Sequence, residues 1–275
     1  MKLYKLTNNQ IAIEQDHQYR IFDASFDEIV NADNLADTLS QLWPSGVDID
    51  LTNHTILAPI GSQQELWACG VTYLRSKVGR QEESKEAGGG DFYEKVYHAD
   101  RPEIFFKATP SRVVRPKAQV RIRKDSTWDV PDAELALVVN SKGNIIGYTT
   151  GNDMSSRSIE GENPLYLPQA KTYDACAALG PCISVINPFS QADTTIQLTI
   201  SRAGQTVFND TILLSQMKRT PEELVKYVCM ECSFPHGCIV MTGTGIVPPN
   251  TFTLQSGDVI KIGIIGIGEL ENEVG

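Results

Sequence analysis

Nothing constrains this chain more than the strand-like run Pro131-Asp132-Ala133-Glu134-Leu135-Ala136-Leu137-Val138-Val139, where two acids open an otherwise apolar stretch. Side chains two apart on a strand point to the same face, so Asp132 and Glu134 lie side by side. A second apolar run, Ile145-Ile146-Gly147-Tyr148-Thr149, leads into Gly151-Asn152-Asp153, and Asn140-Ser141-Lys142-Gly143-Asn144 between the runs reads as a hairpin turn. The hairpin would fold Asp153 back beside the first two acids. Three crowded carboxylates repel one another unless something cationic sits among them. Mg²⁺ meets that need, since it prefers oxygen ligands and keeps waters that a substrate can displace, while Mn²⁺ and Ca²⁺ accept the same donors. Lys171, further on, adds a cation of the chain's own.

The remaining composition excludes more than it selects. With 275 residues, 41% hydrophobic and 21% charged, the chain fits one large globular domain or one large plus one small. A net charge of −10 opposes a nucleic-acid backbone or an anionic membrane. The basic cluster Arg112, Arg115, Lys117, Arg121, Arg123 and Lys124 reads as the exposed face of a strand around Val120-Arg121-Ile122-Arg123. No apolar run is long enough to span a membrane and Met1–Leu6 has no signal-peptide core, so a cytoplasmic protein is expected. Six cysteines without a secretory signal favour reduced, buried thiols. Thr220-Pro221-Glu222-Glu223 announces a helix over Glu222 to Cys232, which would put Cys229 and Cys232 roughly on one helical face.

Two regions are expected. Residues 1–60 carry short strands near Lys2–Leu6 and His17–Phe22 and an amphipathic helix over Phe26 to Leu42, forming a small N-terminal α/β domain. Residues 61–275 are expected to form the main domain. Within it, the polar stretch over 75–101 reads either as a solvated helix and loop or as a mobile lid over a pocket. From Pro181 onward strands dominate, so the class is α+β and β-rich, with mixed strands rolled on themselves rather than a doubly wound parallel sheet. The Gly-rich runs at 243–245 and 263–268 lack dinucleotide-binding spacing.

Four motifs in order, Pro131-Asp132-Ala133-Glu134-Leu135, Gly147-Tyr148-Thr149-Thr150-Gly151-Asn152-Asp153, Lys171 ahead of Ala178-Leu179-Gly180-Pro181, and Thr242-Gly243-Thr244-Gly245-Ile246-Val247-Pro248, resemble the fumarylacetoacetate hydrolase superfamily. The resemblance runs from about residue 66 to the C-terminus. Glu160 to Asp174 is most similar to the superfamily's 2-keto-3-deoxy sugar-acid dehydratases. It implies a β-roll catalytic domain of the fumarylacetoacetate hydrolase C-terminal type, a homo-oligomer (dimer or tetramer) and a divalent metal on Asp132, Glu134 and Asp153, with Lys171 at the substrate. Two departures stand out. Asp132 occupies a position usually held by glutamate, so its carboxylate is one methylene short and reaches a metal directly or through water. Ser76 and Gly79 stand where the carbon–carbon hydrolases place a water-activating His and Glu.

These residues favour chemistry at a 2-keto acid. A metal on three carboxylates chelates the acid's carboxylate and keto oxygen and acidifies the C3 proton. Lys171 stabilises the developing charge by donating to the keto oxygen, or serves as a structural ion pair. A lid carboxylate, Glu82 or Glu83, is the acid/base candidate, while Thr244, Ser155 and Lys107 are candidates for contacting substrate, with a surface role for Lys107 as its alternative. Loss of the C4 hydroxyl from a 2-keto-3-deoxy pentonate, such as the D-arabinonate, would give 2,5-dioxopentanoate. The competing readings are an acylpyruvate-type hydrolase or decarboxylase of a 2,4-diketo acid, and a 2-keto-acid binding protein without turnover.

Overall fold

The computed structural model describes residues 1–83, 90–185 and 190–275. Four short strands open the chain: β1 (Lys2–Lys5), β2 (Ile11–Gln15), β3 (Gln18–Phe22) and β4 (Val47–Asp48). The middle of the chain contributes β5 (Glu65–Gly70), β6 (Glu103–Ala108), β7 (Val113–Val114), β8 (Gln119–Val120), β9 (Asp129–Val139), β10 (Ile145–Ser156) and β11 (Ala177–Ser184). The last third adds β12 (Thr195–Arg202), β13 (Gln205–Leu213), β14 (Cys238–Met241), β15 (Val259–Ile264) and β16 (Gly268–Val274). They form two sheets. The larger runs β4-β3-β2-β1-β11-β10-β9-β14-β5-β6, with β7 added alongside β11, and the smaller runs β13-β12-β15-β16-β8. Most pairings are antiparallel, but β14–β5, β11–β7 and β16–β8 are parallel, so the sheets are mixed as the β-rich α+β reading requires.

Strand β9 lies at the centre and is buried along its whole length. Its alternation sorts two cores. Leu135, Leu137 and Val139 point between the sheets toward Ile196, Leu198, Ile200, Ile260 and Ile262, while Ala136 and Val138 point to the other face with Leu66, Leu3, Leu35 and Leu39. Truncating Leu135 or Leu137 to alanine would cost about 2–5 kcal/mol, because the packed sheets can collapse only partly around the gap. The hairpin to β10 forms as the turn residues predict, with Asn140 Oδ1 accepting from the Lys142 and Asn144 amides at 3.1 and 3.0 Å. Its register sets Asp153 directly opposite Asp132 and Gly151 opposite Glu134.

Residues 1–60 extend the large sheet, because β1 pairs with β11 through Lys2–Ser184 and Leu3–Ile183. The single helix expected over Phe26–Leu42 is instead two, α1 (Phe26–Ile29) and α2 (Leu35–Leu42). The break has a local cause. Asn34 adopts an extended conformation and its side chain accepts from the Asp37 amide at 3.2 Å, an N-cap that starts a new helix. The polar stretch after β5 carries α3 (Leu74–Glu83) and α4 (Gly90–His98), and the part of the proposed lid at 84–89 falls outside the described residues. Beyond β10 come α5 (Arg157–Glu162) and α6 (Leu167–Lys171), and later α7 (Pro221–Val228). Helix α7 starts as predicted, with Thr220 capping the Glu223 amide, but stops at Val228 with Cys229 as its C-cap. Cys232 is therefore off the helix and exposed, contrary to a shared helical face of buried thiols. The basic segment after Val120 is irregular rather than strand, and Arg123 pairs with its neighbour Asp125 at 2.6 Å. Among the described residues no helix is long and apolar enough to cross a membrane.

Candidate metal and acid/base site

The face of β9 that buries Ala136 and Val138 carries Glu134 and Asp132 two and four residues earlier, and β10 lays Asp153 across from them. All three carboxylates are buried, and one oxygen from each lies within 4.8 Å of the others. An oxygen-only, anionic donor set in a buried position suits a hard divalent cation. Glu134 is fixed by the backbone, since Gly243 N–H donates to its Oε2 at 2.6 Å. Gly243 holds φ at 91°, and a side chain there would strike Thr72 and the Cys69 carbonyl, so glycine is what lets this amide reach the carboxylate.

Lys171 arrives at the end of α6 with its ammonium 2.9 Å from both Asp132 Oδ2 and Asp153 Oδ2 and 2.6 Å from Ser155 Oγ. It is 2% exposed, so its charge is matched by carboxylates rather than water. Ser155 also donates to Asp132 Oδ2 at 3.0 Å, which makes this hydroxyl part of the same cluster. Lys107 is not a surface residue. Fully buried on β6, it pairs with Asp153 Oδ1 at 2.6 Å and donates to the Met154 carbonyl at 2.9 Å and to the Lys171 carbonyl. These three partners use the three N–H bonds of an ammonium, so in this arrangement Lys107 orients Asp153 and α6. Thr244 is buried in the turn after β14, where its hydroxyl joins the Ile246 backbone at 3.2 Å.

Several participants were not singled out by sequence reasoning. Arg157, the first residue of α5, donates to Asp132 Oδ1 at 2.6 Å and pairs with Glu160 at 3.3 Å. Arg80 of α3 reaches Asp132 Oδ2 at 3.7 Å and also pairs with Glu160. Glu103 opens β6, and alternation along that strand places it on the face of Phe105 and Lys107. The Lys171 ammonium stands 5.7 Å from the Phe105 ring centre, confirming that this face lines the cluster. The absence of a side chain at Gly70, paired with Glu103 across β5 and β6, leaves room for its carboxylate.

Electrostatics divides the acids. Burial alone would raise the Asp132 carboxyl, but Arg157, Lys171 and Arg80 outweigh it and hold the group far below the usual carboxylate range. Burial raises Glu134, Asp153 and Asp132 raise it further, and Lys171 and the Gly243 amide only partly oppose them. Burial likewise raises Glu103, with Arg80 and Lys171 pulling the other way. Of the two acid/base candidates on α3, Glu82 is exposed, and the Glu83 side chain lies outside the described residues. Ser76, where a dyad histidine would stand, donates to the Tyr73 carbonyl at 2.8 Å within its own turn.

Residues 73–275 match the family described as fumarylacetoacetate (FAA) hydrolase C-terminal. A probable 2-keto-3-deoxyxylonate dehydratase of Haloferax volcanii is 47% identical over 231 residues, covering 83% of this chain and 78% of the relative. A 2-dehydro-3-deoxy-D-arabinonate dehydratase of Saccharolobus solfataricus is 42% identical over 211 residues, or 75% of this chain and 70% of the relative. A solved 2-keto-3-deoxy-D-arabinonate dehydratase, complexed with magnesium and 2,5-dioxopentanoate, superposes with a TM-score of 0.84 at 32% identity, covering 100% of this chain and 98% of that one.

Proposed function

Because the chain belongs to the fumarylacetoacetate hydrolase C-terminal family, we propose that it is a Mg²⁺-dependent dehydratase of a 2-keto-3-deoxy sugar acid. The pentonates are the favoured class, with 2-keto-3-deoxy-D-arabinonate giving 2,5-dioxopentanoate, as in the relatives of matching architecture. The observation that carries the reading is the buried trio Asp132, Glu134 and Asp153 with Lys171 bridging two of its members.

Asp132, Glu134 and Asp153 would hold the ion. Magnesium bound there supplies Lewis-acid polarisation of the keto oxygen and carboxylate of a 2-keto acid, which acidifies the C3 proton. Lys171, whose three N–H bonds go to Asp132, Asp153 and Ser155, exchanges the Ser155 contact for the keto oxygen as negative charge develops there. Glu103, whose carboxyl burial pushes upward, is the candidate to give a proton to the departing C4 hydroxyl, while Glu82 or Glu83 on α3 takes the C3 proton. The substrate thereby loses one water, and tautomerisation of the resulting unsaturated acid yields the aldehyde. Ser155 and Lys107 hold the trio and Lys171 in place, and Thr244 offers its hydroxyl to the substrate carboxylate. The same proposal assigns 1–60 to a small N-terminal domain, 61–275 to the catalytic roll and the α3–α4 segment to a lid. It places the enzyme in the cytoplasm as a homo-oligomer.

The test is a panel of 2-keto-3-deoxy pentonates and hexonates and 2,4-diketo acids incubated with the protein and Mg²⁺, with products identified by mass. Loss of one water from a 2-keto-3-deoxy acid is expected. Cleavage of a diketo acid into two fragments, with the deoxy acids untouched, would replace dehydration by hydrolysis.

A further inference from the structure

Arg219 lies just ahead of α7 and has no part in the chemistry above, yet it is 4% exposed, a depth at which a guanidinium needs partners for its donors. All four of its terminal N–H bonds are used. Nη1 donates to the Asp100 carbonyl at 2.9 Å and to Glu223 Oε1 at 2.5 Å, and Nη2 donates to the Ala99 and Val96 carbonyls at 2.7 and 3.3 Å. Three of these acceptors belong to one stretch, the end of α4 and the turn that leads to β6. The last carbonyls of a helix have no partner inside it. Here the Ala99 amide donates to the Lys95 carbonyl at 2.9 Å, Arg219 donates to that of Val96, and the Lys218 ammonium donates to that of Tyr97 while lying 4.6 Å from its ring centre.

The same segment holds the other end of the helical pair. Lys218 N–H donates to the Thr72 carbonyl at 2.9 Å and Met217 bridges Tyr73, both directly before α3. Glu94 joins the two helices, accepting from Lys77 at 2.8 Å and from Gln81 at 3.1 Å. Residues 217–219 therefore clamp the start of α3 and the end of α4 to the base of α7. Two groups of the acid cluster are carried by what is clamped. Arg80, on α3, pairs with Asp132 and Glu160, and Glu103 opens β6 three residues past Asp100. Buried Pro102, with its fixed φ, stiffens that short connection, and Arg101 lies 5.4 Å from the Tyr227 ring centre of α7.

We propose that Arg219 is a positioning residue, which sets the stance of Glu103 and, through α4 and α3, of Arg80 toward the acid cluster by holding residues 96–100 against α7. It touches none of the reacting atoms. None of its four bonds reaches β9 or β10, which carry the metal trio, so removing it should disturb turnover and leave magnesium binding in place.

Arg219→Met and Arg219→Lys are compared with the unaltered protein in amide hydrogen exchange and in steady-state dehydration of 2-keto-3-deoxy-D-arabinonate against Mg²⁺. In Arg219→Met, exchange should quicken over 90–103 with 129–156 unchanged, kcat should fall about 10–100-fold, and the Mg²⁺ concentration for half-maximal activation should stay within about twofold. Arg219→Lys, with three donors in place of the planar fork, should recover part of the kcat. The kinetic arm rests on the dehydratase reading, and the unaltered protein separates the two: if it dehydrates none of the deoxy acids that reading fails, and exchange alone decides the anchoring by Arg219. Exchange over 90–103 that matches the parent, quickening spread equally through 129–156, or parental kcat and KM in a variant with a loosened 90–103 would each overturn the proposal. Should Arg219→Met not fold, Arg219→Lys is held to the same comparison.

Discussion

The acid cluster has two unlike sides. Toward α5 and α3, carboxylates alternate with cations: Asp132 is shared by Arg157, Lys171 and Arg80, and Glu160 is shared by the two arginines. Toward β14, Glu134 meets a backbone amide, and burial and its acidic neighbours push its carboxyl up while Lys171 relieves it only in part. The chain has neutralised one side with its own side chains and left the other short of positive charge. Among groups this deeply buried, such a deficit is costly unless a cation binds or a proton stays on. The Glu134 side is therefore where an external ion has most to gain, and Asp132, one methylene short, is the member most occupied by other partners.

Substitutions can break this contrast in order of expected size. Lys171→Met should have the largest effect, lowering kcat about 10²–10³-fold by removing the donor to the keto oxygen, which steady-state kinetics at saturating Mg²⁺ would register. An equal kcat in the variant would reassign Lys171 to a structural ion pair. Arg157→Ala leaves Asp132 and Glu160 buried beside fewer cations and should cost roughly 3–5 kcal/mol in denaturant unfolding, with Arg157→Lys recovering part of it. A loss below about 1 kcal/mol would mean that water, and not Arg157, compensates Asp132.

Asp129 sharpens the comparison from the same strand. Three residues before Asp132, it is buried with Oδ1 lacking a hydrogen bond, and burial raises it to about 6. As pH rises from about 4 to about 6, the unfolded chain releases this proton before the folded one, so stability falls across that window and levels off above it. Asp129→Asn should flatten the slope and add on the order of 2–3 kcal/mol above pH 6, measured as the difference between the two proteins' unfolding curves against pH. Parallel curves would remove Asp129 from the account.

The hairpin and its trio were legible because strand alternation and turn chemistry are local, and the register needs only residues 129–156. The cations were less so. Arg157 lies only four residues beyond Asp153, yet its aim back at Asp132 depends on where α5 turns. Arg80 arrives from a helix some fifty residues upstream, a tertiary placement without a local signature. Glu103 was readable in principle, since Lys107 on the same short strand had been noted and two-residue alternation leads back to it. The break after Ile29 is also written locally, in the Asn34 cap, but Leu35, Leu39 and Leu42 give the segment one apolar face that masks it.

The central claim is that the carboxylate trio is a magnesium site at which the substrate loses water. Its most direct test is the initial rate of 2-keto-3-deoxy-D-arabinonate dehydration against Mg²⁺ concentration, in the unaltered protein and in Glu134→Gln, with chelator-treated samples as the origin. Saturable activation in the first, abolished by chelation, and loss of both activation and turnover in a folded Glu134→Gln are predicted. Dehydration that persists without metal, or a variant activated like its parent, would contradict it.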